Sequence, residues 1–244
     1  MTAAGVIPAR YASSRFPGKA LAPIGGRPMI QRVYEGARRA RSLRTVVVAT
    51  DDERIAEACR TFGAPVVMTA AGHPTGTDRL SEVASGLEDE VIVNIQGDEP
   101  LIEDFVIDAA VEALLEDPGV SMATVVHAID PQVRDDPNRV KVVIDRNGRA
   151  LYFSRSPIPY VRADGTPPDT IWQHVGLYAY RRAFLLDFVG LPPTPAEQAE
   201  GLEQLRALEH GHPIRCAAVE GWHSLPVDVP EDVPRVEARL AEGH

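Results

Sequence analysis

Basic residues are concentrated at the start of the chain, where the first 34 residues contain no Asp or Glu. Gly18 lets the backbone approach a ligand closely, and guanidinium and ammonium groups beside it would neutralise phosphate. The segment therefore predicts an anion site, although a solvated basic loop is the alternative. The basic residues of this segment are Arg10, Arg15, Lys19, Arg27 and Arg32.

Lysine is scarce in this chain. Only two of the 25 basic residues are lysines, Lys19 and Lys141. Coding bias explains the scarcity, but a lysine that persists among arginines suits a place where a compact ammonium is needed and a planar guanidinium does not fit. Lys141 alone fits a charge at a strand edge equally well.

Two carboxylates follow predicted strands. Asp98 lies in Asn94-Ile-Gln-Gly-Asp-Glu-Pro100, and Asp228 follows the last apolar strand. A carboxylate at the end of a buried strand has to be solvated, paired or bound to metal. Mg²⁺ takes one or two carboxylates together with phosphate oxygens and water, so Asp98 and Asp228 are predicted metal ligands, and Gln96 a hydrogen-bond partner for a base or ribose. A turn or a helix start explains either aspartate as well.

Several nucleotide-binding and catalytic motifs are absent from the sequence. Gly18-Lys19-Ala20 lacks the Ser or Thr and the first Gly of a Walker A loop, and no G-x-G-x-x-G or G-x-S-x-G occurs. His210 and His212 have no zinc-ligand spacing around them. These absences remove the main support for a P-loop ATPase, a dinucleotide enzyme or a serine hydrolase.

The composition of the chain limits the kinds of molecule that it binds and the compartment in which we expect it. The net charge of −10 argues against nucleic acid or an anionic membrane as the main partner. No stretch approaches the ~20 apolar residues of a membrane span, and the first residues carry no signal-peptide pattern. Cys59 and Cys216 are far apart and set among apolar residues, which predicts buried thiols in a reducing compartment. We expect a cytoplasmic protein.

Short apolar runs alternate with amphipathic stretches in the first half of the chain, which predicts an α/β fold: a Rossmann-like, mostly parallel mixed sheet with helices on both faces. After His127 a hairpin turn at 145–148 indicates antiparallel strands. We predict one domain over residues 1–244 with an inserted subregion at about 128–215. The predicted strands are 4–7, 45–50, 65–68, 91–95, 122–126, 140–144, 150–154, 172–180 and 214–219. The predicted helices are 28–37, 55–62, 103–115, 181–189, 195–209 and one after Pro230.

Seven blocks, in order along the chain, closely resemble the 3-deoxy-manno-octulosonate cytidylyltransferases, the CMP-Kdo synthetases. The sugar-side blocks separate this family from other nucleotidyltransferases. The blocks are Ile7-Pro-Ala-Arg-Tyr-Ala-Ser-Ser-Arg-Phe-Pro-Gly-Lys19, Gly76-Thr-Asp-Arg-Leu80, Val93-Asn-Ile-Gln-Gly-Asp-Glu-Pro100, Pro137-Asn-Arg-Val-Lys141, Tyr152-Phe-Ser-Arg155, His174-Val-Gly-Leu-Tyr178 and Leu202-Glu-Gln-Leu-Arg206.

The resemblance implies transfer of CMP from CTP to the anomeric hydroxyl of Kdo, with release of pyrophosphate, to activate the sugar for lipopolysaccharide synthesis. It implies Mg²⁺ as cofactor and a homodimer as assembly. The implied catalytic residues are Lys19, Arg10 and Asp98. The implied nucleotide-binding residues are Ala9, Arg10, Arg15, Lys19, Arg79 and Gln96. The implied sugar-binding residues are Lys141, Arg155, His174, Tyr178, Glu203 and Gln204, and the implied metal ligands are Asp98 and Asp228.

Three alternatives stay open at this stage. The nearest is a cytidylyltransferase for another sugar acid, amino-Kdo or sialic acid, with the same nucleotide half. A glycosyltransferase is less well supported, because Gly97-Asp98-Glu99 is not an Asp-x-Asp pair. A nucleotide-sensing module without activity is a third, which the retention of Lys19 and Asp98 disfavours. Without the resemblance, the sugar-side residues fit surface or core positions equally well.

Overall fold

The computed structural model describes residues 2–13 and 15–242, so Ser14 of the first motif block lies outside the described residues. Contacts divide the chain into two compact units. Unit 1 comprises Met1–Asp108 and Ser224–His244, and unit 2 comprises Ala109–His223. A single domain with an inserted subregion stays a prediction.

Unit 1 contains a parallel sheet. Its strand order is β6-β1-β4-β5, and each neighbouring pair is parallel. The runs of Val and Ile suit strands that are covered on both faces, and β1 and β6 are almost entirely buried. The strands are β1 (Ala3–Ala9), β2 (Pro23–Ile24), β3 (Arg27–Pro28), β4 (Leu43–Thr50), β5 (Val66–Met68) and β6 (Val91–Asn94). The helices are α1 (Met29–Ala37), α2 (Glu53–Thr61) and α3 (Gly76–Ser85), and α4 (Asp104–Glu116) runs across the boundary between the units.

Helix α3 was not among the predicted helices. Thr75 caps this helix by accepting from the Asp78 backbone N–H, while the Asp78 carboxylate accepts from the Thr75 backbone N–H at 3.0 Å. The two residues form a capping box, whose T-x-x-D spacing was present in the sequence. The helix begins at the rim of the site described below.

Unit 2 contains a mixed sheet. Its order is β11-β7-β10-β8-β9, with β11 parallel to β7 and the other pairs antiparallel. The predicted antiparallel hairpin is confirmed as β8 and β9. The strands are β7 (Met122–Ile129), β8 (Lys141–Ile144), β9 (Ala150–Ser154), β10 (Ile171–Arg181) and β11 (Ile214–Val219). The helices are α5 (Arg182–Phe188), α6 (Pro195–Glu200) and α7 (Gln204–Glu209).

The single helix predicted over 195–209 is wrong. Gly201 has a φ of 62° and ends α6, and a second helix starts at Gln204. A left-handed glycine directly after the last helical residue is a common helix stop, and the sequence analysis did not use it.

The chain returns to unit 1 after residue 223 and ends in α8 (Val233–Ala241). Val227 and Val236 are fully buried against Ile24 and Met29. We call residues 224–241 the return segment. Burial of such side chains contributes about 1.5–3 kcal/mol each to stability, so this apolar cluster holds the return segment beside the residues that follow β1. Asp228 is thereby held close to Lys19.

The α/β class predicted from the sequence is confirmed. In the described part of the chain, no helix has the length and apolar content that a membrane crossing requires. Cys59 and Cys216 are free and buried, as predicted. Burial raises the pKa of these thiols to about 11 and about 12, so both stay protonated and unreactive at neutral pH.

Candidate active site

A cleft of about 280 Å³ lies in unit 1 at the carboxyl ends of β1 and β6. This edge of a parallel sheet is where α/β folds bind ligands. All the predicted nucleotide and metal residues line it, and Ser13, His73 and Thr75 line it without having been predicted. The predicted residues in the cleft wall are Ala9, Arg10, Arg15, Lys19, Arg79, Gln96, Asp98 and Asp228.

The five basic residues of the N-terminal segment separate into two groups. Arg10, Arg15 and Lys19 line the cleft. Arg27 instead pairs with Glu35 at 2.5 Å, and the Arg32 guanidinium donates to the Ile24 and Gly25 carbonyls, at 2.5 and 3.0 Å. Three of the five residues from which an anion site was predicted therefore lie in the cleft, and anion binding by them stays a prediction.

Lys19 lies between two carboxylates. Its Nζ is 2.7 Å from Asp98 Oδ2 and 3.5 Å from Asp228 Oδ1, and it donates to the Val227 carbonyl at 3.2 Å. Arg15 reaches the same Asp228 oxygen at 2.9 Å. The two carboxylates come from positions 98 and 228 of the sequence, and the cations beside them reduce their mutual repulsion.

The turn before Lys19 is held by the backbone. Gly18 has a φ of 73°, and its N–H donates to the Tyr11 carbonyl at 2.8 Å. A Cβ at Gly18 would come within 3.1 Å of the Tyr11 ring. The Arg54 guanidinium lies 3.3 Å from the centroid of that ring and is itself paired with Asp52. The left-handed turn therefore requires glycine, and the cation–π contact with Arg54 helps to hold the Tyr11 ring.

Gly97 sets the distance between the two strand ends. A Cβ at Gly97 would lie 2.9 Å from the Pro8 carbonyl oxygen, which is a backbone atom that cannot move aside. Any side chain at position 97, directly before Asp98, would therefore prevent the close approach of β6 to β1.

We expect Gly97→Ala to destabilise the protein by about 1–3 kcal/mol, because the clash forces the backbone apart. Thermal unfolding monitored by circular dichroism checks this, with an expected fall in Tm of about 3–10 °C. Gly86→Ala is the matched control, since its Cβ would meet its nearest atom, the Val83 oxygen, at 3.7 Å. Equal Tm values for the two variants would contradict the steric assignment.

Glu99 is buried beside Asp98 and connects it to the return segment. It accepts from the Ser224 hydroxyl and, at 3.3 Å, from the Leu225 N–H, while the Asp98 carbonyl accepts from the Val227 N–H at 2.9 Å. Burial raises the pKa of Glu99 to about 8, and the negative charge of Asp98 adds to the shift, so the group is mostly protonated at neutral pH. No role was predicted for Glu99, because nothing in the local sequence indicates hydrogen-bond partners more than 120 residues away.

Arg79 and His73 bring α3 and the segment before it into the cleft wall. Arg79 is buried, donates to the Thr69 hydroxyl, and pairs with Asp51 at 3.1 Å. His73 contacts the Glu82 carboxylate, whose pKa is lowered chiefly by this hydrogen bond. Both side chains are thus held by other groups of unit 1.

The carboxylates of the cleft fit a magnesium ion. Asp98 and Asp228 both approach one cation, Lys19 Nζ, and so face the same point. No group of three or more His, Cys, Asp or Glu side chains placed for a metal exists among the described residues. Two carboxylates without further protein ligands suit Mg²⁺, which keeps waters and binds substrate phosphates, better than a closed structural metal site.

Three of the predicted sugar-side residues lie together in unit 2. The His174 ring is 5.3 Å from the Tyr178 ring, between centroids, and the Glu203 carboxylate acts on Tyr178 electrostatically. Burial lowers the pKa of His174 to about 3 and raises that of Tyr178, so both rings are neutral. His174 Nε2 and Gln204 Nε2 are buried and accept or donate no hydrogen bond within the described chain. Buried polar atoms of this kind need a partner, and a ligand can supply it.

Arg155 and Lys141 lie in a second polar group of unit 2. The Arg155 guanidinium donates to the Glu200 carbonyl at 2.8 Å and to the Pro137 carbonyl at 3.1 Å. Lys141 is fully buried and lies in β8 between β9 and β10, so the alternative of a charge at a strand edge is wrong. Its Nζ donates to three backbone carbonyls, those of Asp136, Arg139 and Arg155. A direct contact of Lys141 with a sugar stays a prediction.

Comparison with known proteins agrees with this geometry. The family described as Cytidylyltransferase matches residues 4–214. The 3-deoxy-manno-octulosonate cytidylyltransferase of Syntrophotalea carbinolica is 53% identical and covers 98% of this chain and 99% of its own. That of Solibacter usitatus is 54% identical and covers 95% of this chain and 92% of its own.

A solved structure extends the similarity to three dimensions. The CMP:2-keto-3-deoxy-manno-octonic acid synthetase complexed with CTP is 44% identical, matches with a TM-score of 0.94, and covers 100% of both chains. This match confirms the predicted Rossmann-like nucleotidyltransferase fold. The chain therefore belongs to the cytidylyltransferase family, and within it to the 3-deoxy-manno-octulosonate cytidylyltransferases.

Proposed function

We propose that this chain transfers CMP from CTP to the anomeric hydroxyl of 3-deoxy-manno-octulosonate (Kdo). The hydroxyl oxygen bonds to the α-phosphorus, the bond from that phosphorus to the β-phosphate oxygen breaks, and the products are CMP-Kdo, pyrophosphate and a proton. The observation that carries the proposal is the cleft in which Lys19 lies between Asp98 and Asp228. The names of the relatives and of the CTP complex support the two substrates.

The cations of the cleft bind and stabilise the phosphates. Arg10 and Arg15 are exposed at its wall and would hold the triphosphate, while the less exposed Lys19 would neutralise charge that develops on the α-phosphate in the transition state. Transfer of a phosphoryl-type group requires positioning and charge neutralisation more than covalent work by the protein. Lys19 is the group best placed for this charge neutralisation, because its ammonium is held both by Asp98 after β6 and by the Val227 carbonyl of the return segment.

Asp98 and Asp228 would hold a Mg²⁺ ion. The ion, when bound, neutralises phosphate charge and lowers the pKa of a hydroxyl that it contacts. Glu99, the Ser224 hydroxyl and the apolar cluster around Val227 keep Asp228 close to Asp98. The Glu99 carboxylate accepts instead from Ser224 and Leu225, so Asp98 and Asp228 are the two carboxylates beside the Lys19 ammonium.

Recognition of the cytosine base would come from the backbone of Ala9 and the side chains of Arg79 and Gln96. Ala9 is the last residue of β1, where a buried backbone faces the cleft. Arg79 is held by Thr69 and Asp51, so little side-chain entropy is lost when it contacts a ligand.

The sugar acid would be bound by residues of unit 2. Arg155 keeps Nη2 free of acceptors within the described chain and would pair with the carboxylate of Kdo. The unpaired Nε2 atoms of His174 and Gln204 support hydrogen bonds to sugar hydroxyls. Tyr178 and Glu203 complete the predicted set.

We also propose a cytoplasmic homodimer. The two free buried thiols support a reducing compartment. Among the strands that the structure describes, β9 pairs with β8 alone, and Leu151 and Tyr152 on it are 61% and 39% exposed. An exposed apolar edge strand supports pairing with a second copy. Light scattering of the wild-type chain and of Leu151→Glu tests this, with a dimer expected for the former and a monomer for the latter.

Pyrophosphate release by the purified protein tests the proposed function. With Mg²⁺ and CTP, we expect release with Kdo and none with sialic acid or without sugar. UTP, GTP and ATP should give far less product than CTP. Release with another sugar acid would support the nucleotide chemistry but contradict the assignment of Kdo as the substrate. No release with any sugar acid would contradict the proposed enzymatic activity.

A further inference from the structure

The ammonium group of Lys141 is the centre of a buried polar network in unit 2. Its Nζ donates to the carbonyls of Asp136 at 2.8 Å, Arg139 at 2.5 Å and Arg155 at 2.6 Å. The side chain is 0% exposed. An ammonium has three protons, and all three are used by this chain. A ligand could reach Nζ only by breaking one of these bonds.

The three carbonyls belong to two separate segments. Asp136 and Arg139 lie in the turn before β8, and Arg155 follows β9. Carbonyl oxygens repel one another at close range, and buried ones need donors. The cation therefore draws together two stretches of backbone that would otherwise separate.

Arg155 is attached to this network at two points. Its carbonyl accepts directly from Lys141, and its Nη1 donates at 3.1 Å to the carbonyl of Pro137, which lies within the same turn. Glu200 also holds the backbone at Arg155, because its carboxylate accepts from the Arg155 N–H at 2.9 Å and from the Ser154 hydroxyl at 2.5 Å. Only Nη2 stays open within the part of the chain that the structure describes.

We infer that Lys141 is a positioning residue for the sugar acid: it does not touch the sugar but fixes the backbone and guanidinium of Arg155, which binds the carboxylate. This inference rests on the proposed function. It also explains why a lysine stands here in a chain whose other basic residues, apart from Lys19, are arginines. A planar guanidinium cannot direct three donors at three carbonyls that surround one point.

Steady-state kinetics separate this role from a general loss of stability. In Lys141→Met we expect the KM for Kdo to rise by about 10- to 100-fold, because Arg155 loses its fixed orientation, while the KM for CTP stays within about 2-fold. Lys141→Arg should behave like Lys141→Met. Leu185→Ala is the matched control: Leu185 is a fully buried residue of α5 in the same unit, outside the network, and its loss should leave both KM values unchanged.

A second variant covers the case in which Lys141→Met does not fold. Ser154→Ala removes one hydrogen bond to Glu200 and should raise the KM for Kdo by about 3-fold, with the KM for CTP unchanged. Folded variants with an unchanged KM for Kdo, or with equal changes for both substrates, overturn the inference alone. A wild-type chain that turns over no sugar acid at all overturns the proposed function as well.

Discussion

Lys19→Ala is expected to lower kcat for pyrophosphate release by about 1,000-fold, because no other cation of the described residues lies as close to both carboxylates of the cleft. Lys19→Arg should not restore activity, since a guanidinium fork cannot replace a compact charge between two aspartates. The fold should persist, because the side chain is partly exposed and such ion pairs contribute about 0–1 kcal/mol. Initial rates of pyrophosphate release at saturating CTP and Kdo measure the effect.

Arg27→Ala is the matched control for this variant. Arg27 belongs to the same basic segment but pairs with Glu35 outside the cleft. Its loss should leave kcat within about 2-fold of the wild-type value. A Lys19→Ala protein that folds and turns over at a near-normal rate would refute the role assigned to the ammonium.

The second large effect is expected at Asp98. Asp98→Asn keeps the size of the side chain and can still accept from Lys19, but it removes one of the two charges that would hold Mg²⁺. We expect kcat to fall by about 1,000-fold, which corresponds to about 4 kcal/mol of lost transition-state stabilisation. Chelation of divalent ions should abolish pyrophosphate release by the wild-type protein, and added Mg²⁺ should restore that activity.

Direct metal binding provides the independent readout for Asp98→Asn. Mn²⁺ titration followed by electron paramagnetic resonance, with CTP present, should show weaker binding in Asp98→Asn than in the wild type. Glu57→Gln, an exposed carboxylate of α2 that pairs with Arg60, is the control and should bind Mn²⁺ normally. Unchanged Mn²⁺ affinity in Asp98→Asn would exclude it as a ligand.

Local sequence patterns predicted the main strands and placed Lys19 and Asp98 at the sheet edge where the cleft lies. The apolar runs of β1, β4 and β6 could belong only to buried strands, and residues after β1 and β6 must meet at one sheet edge. Gln96 and Asp98 were located by that reasoning, whereas Ala9 was named only from the resemblance to the family. Asp228 was located only as a residue after the last strand, and its approach to Lys19 depends on packing of the return segment.

Contacts between distant parts of the chain could not be predicted. The sequence around Glu99 was interpreted as a possible turn. Its hydrogen-bond partners in the structure, Ser224 and Leu225, lie more than 120 residues later in the chain. The rarity of lysine pointed to a role for Lys141 in the site, but nothing in the sequence indicated that its Nζ donates to three backbone carbonyls. The hydrogen-bond partner of a buried polar group is set by tertiary structure, which residue spacing does not encode.

The discontinuous path of unit 1 affects how the protein is made. A ribosome adds about 5–20 residues per second, so the stretch between Asp108 and Ser224 takes on the order of ten seconds to synthesise. During that time the nascent chain has Lys19 and Asp98 but not Asp228, Val227 or Val236. A product that ends before Ser224 would thus lack Asp228, one of the two proposed Mg²⁺ ligands, and the apolar residues Val227 and Val236 that hold it. The proposed transfer of CMP therefore requires translation to continue past Val236.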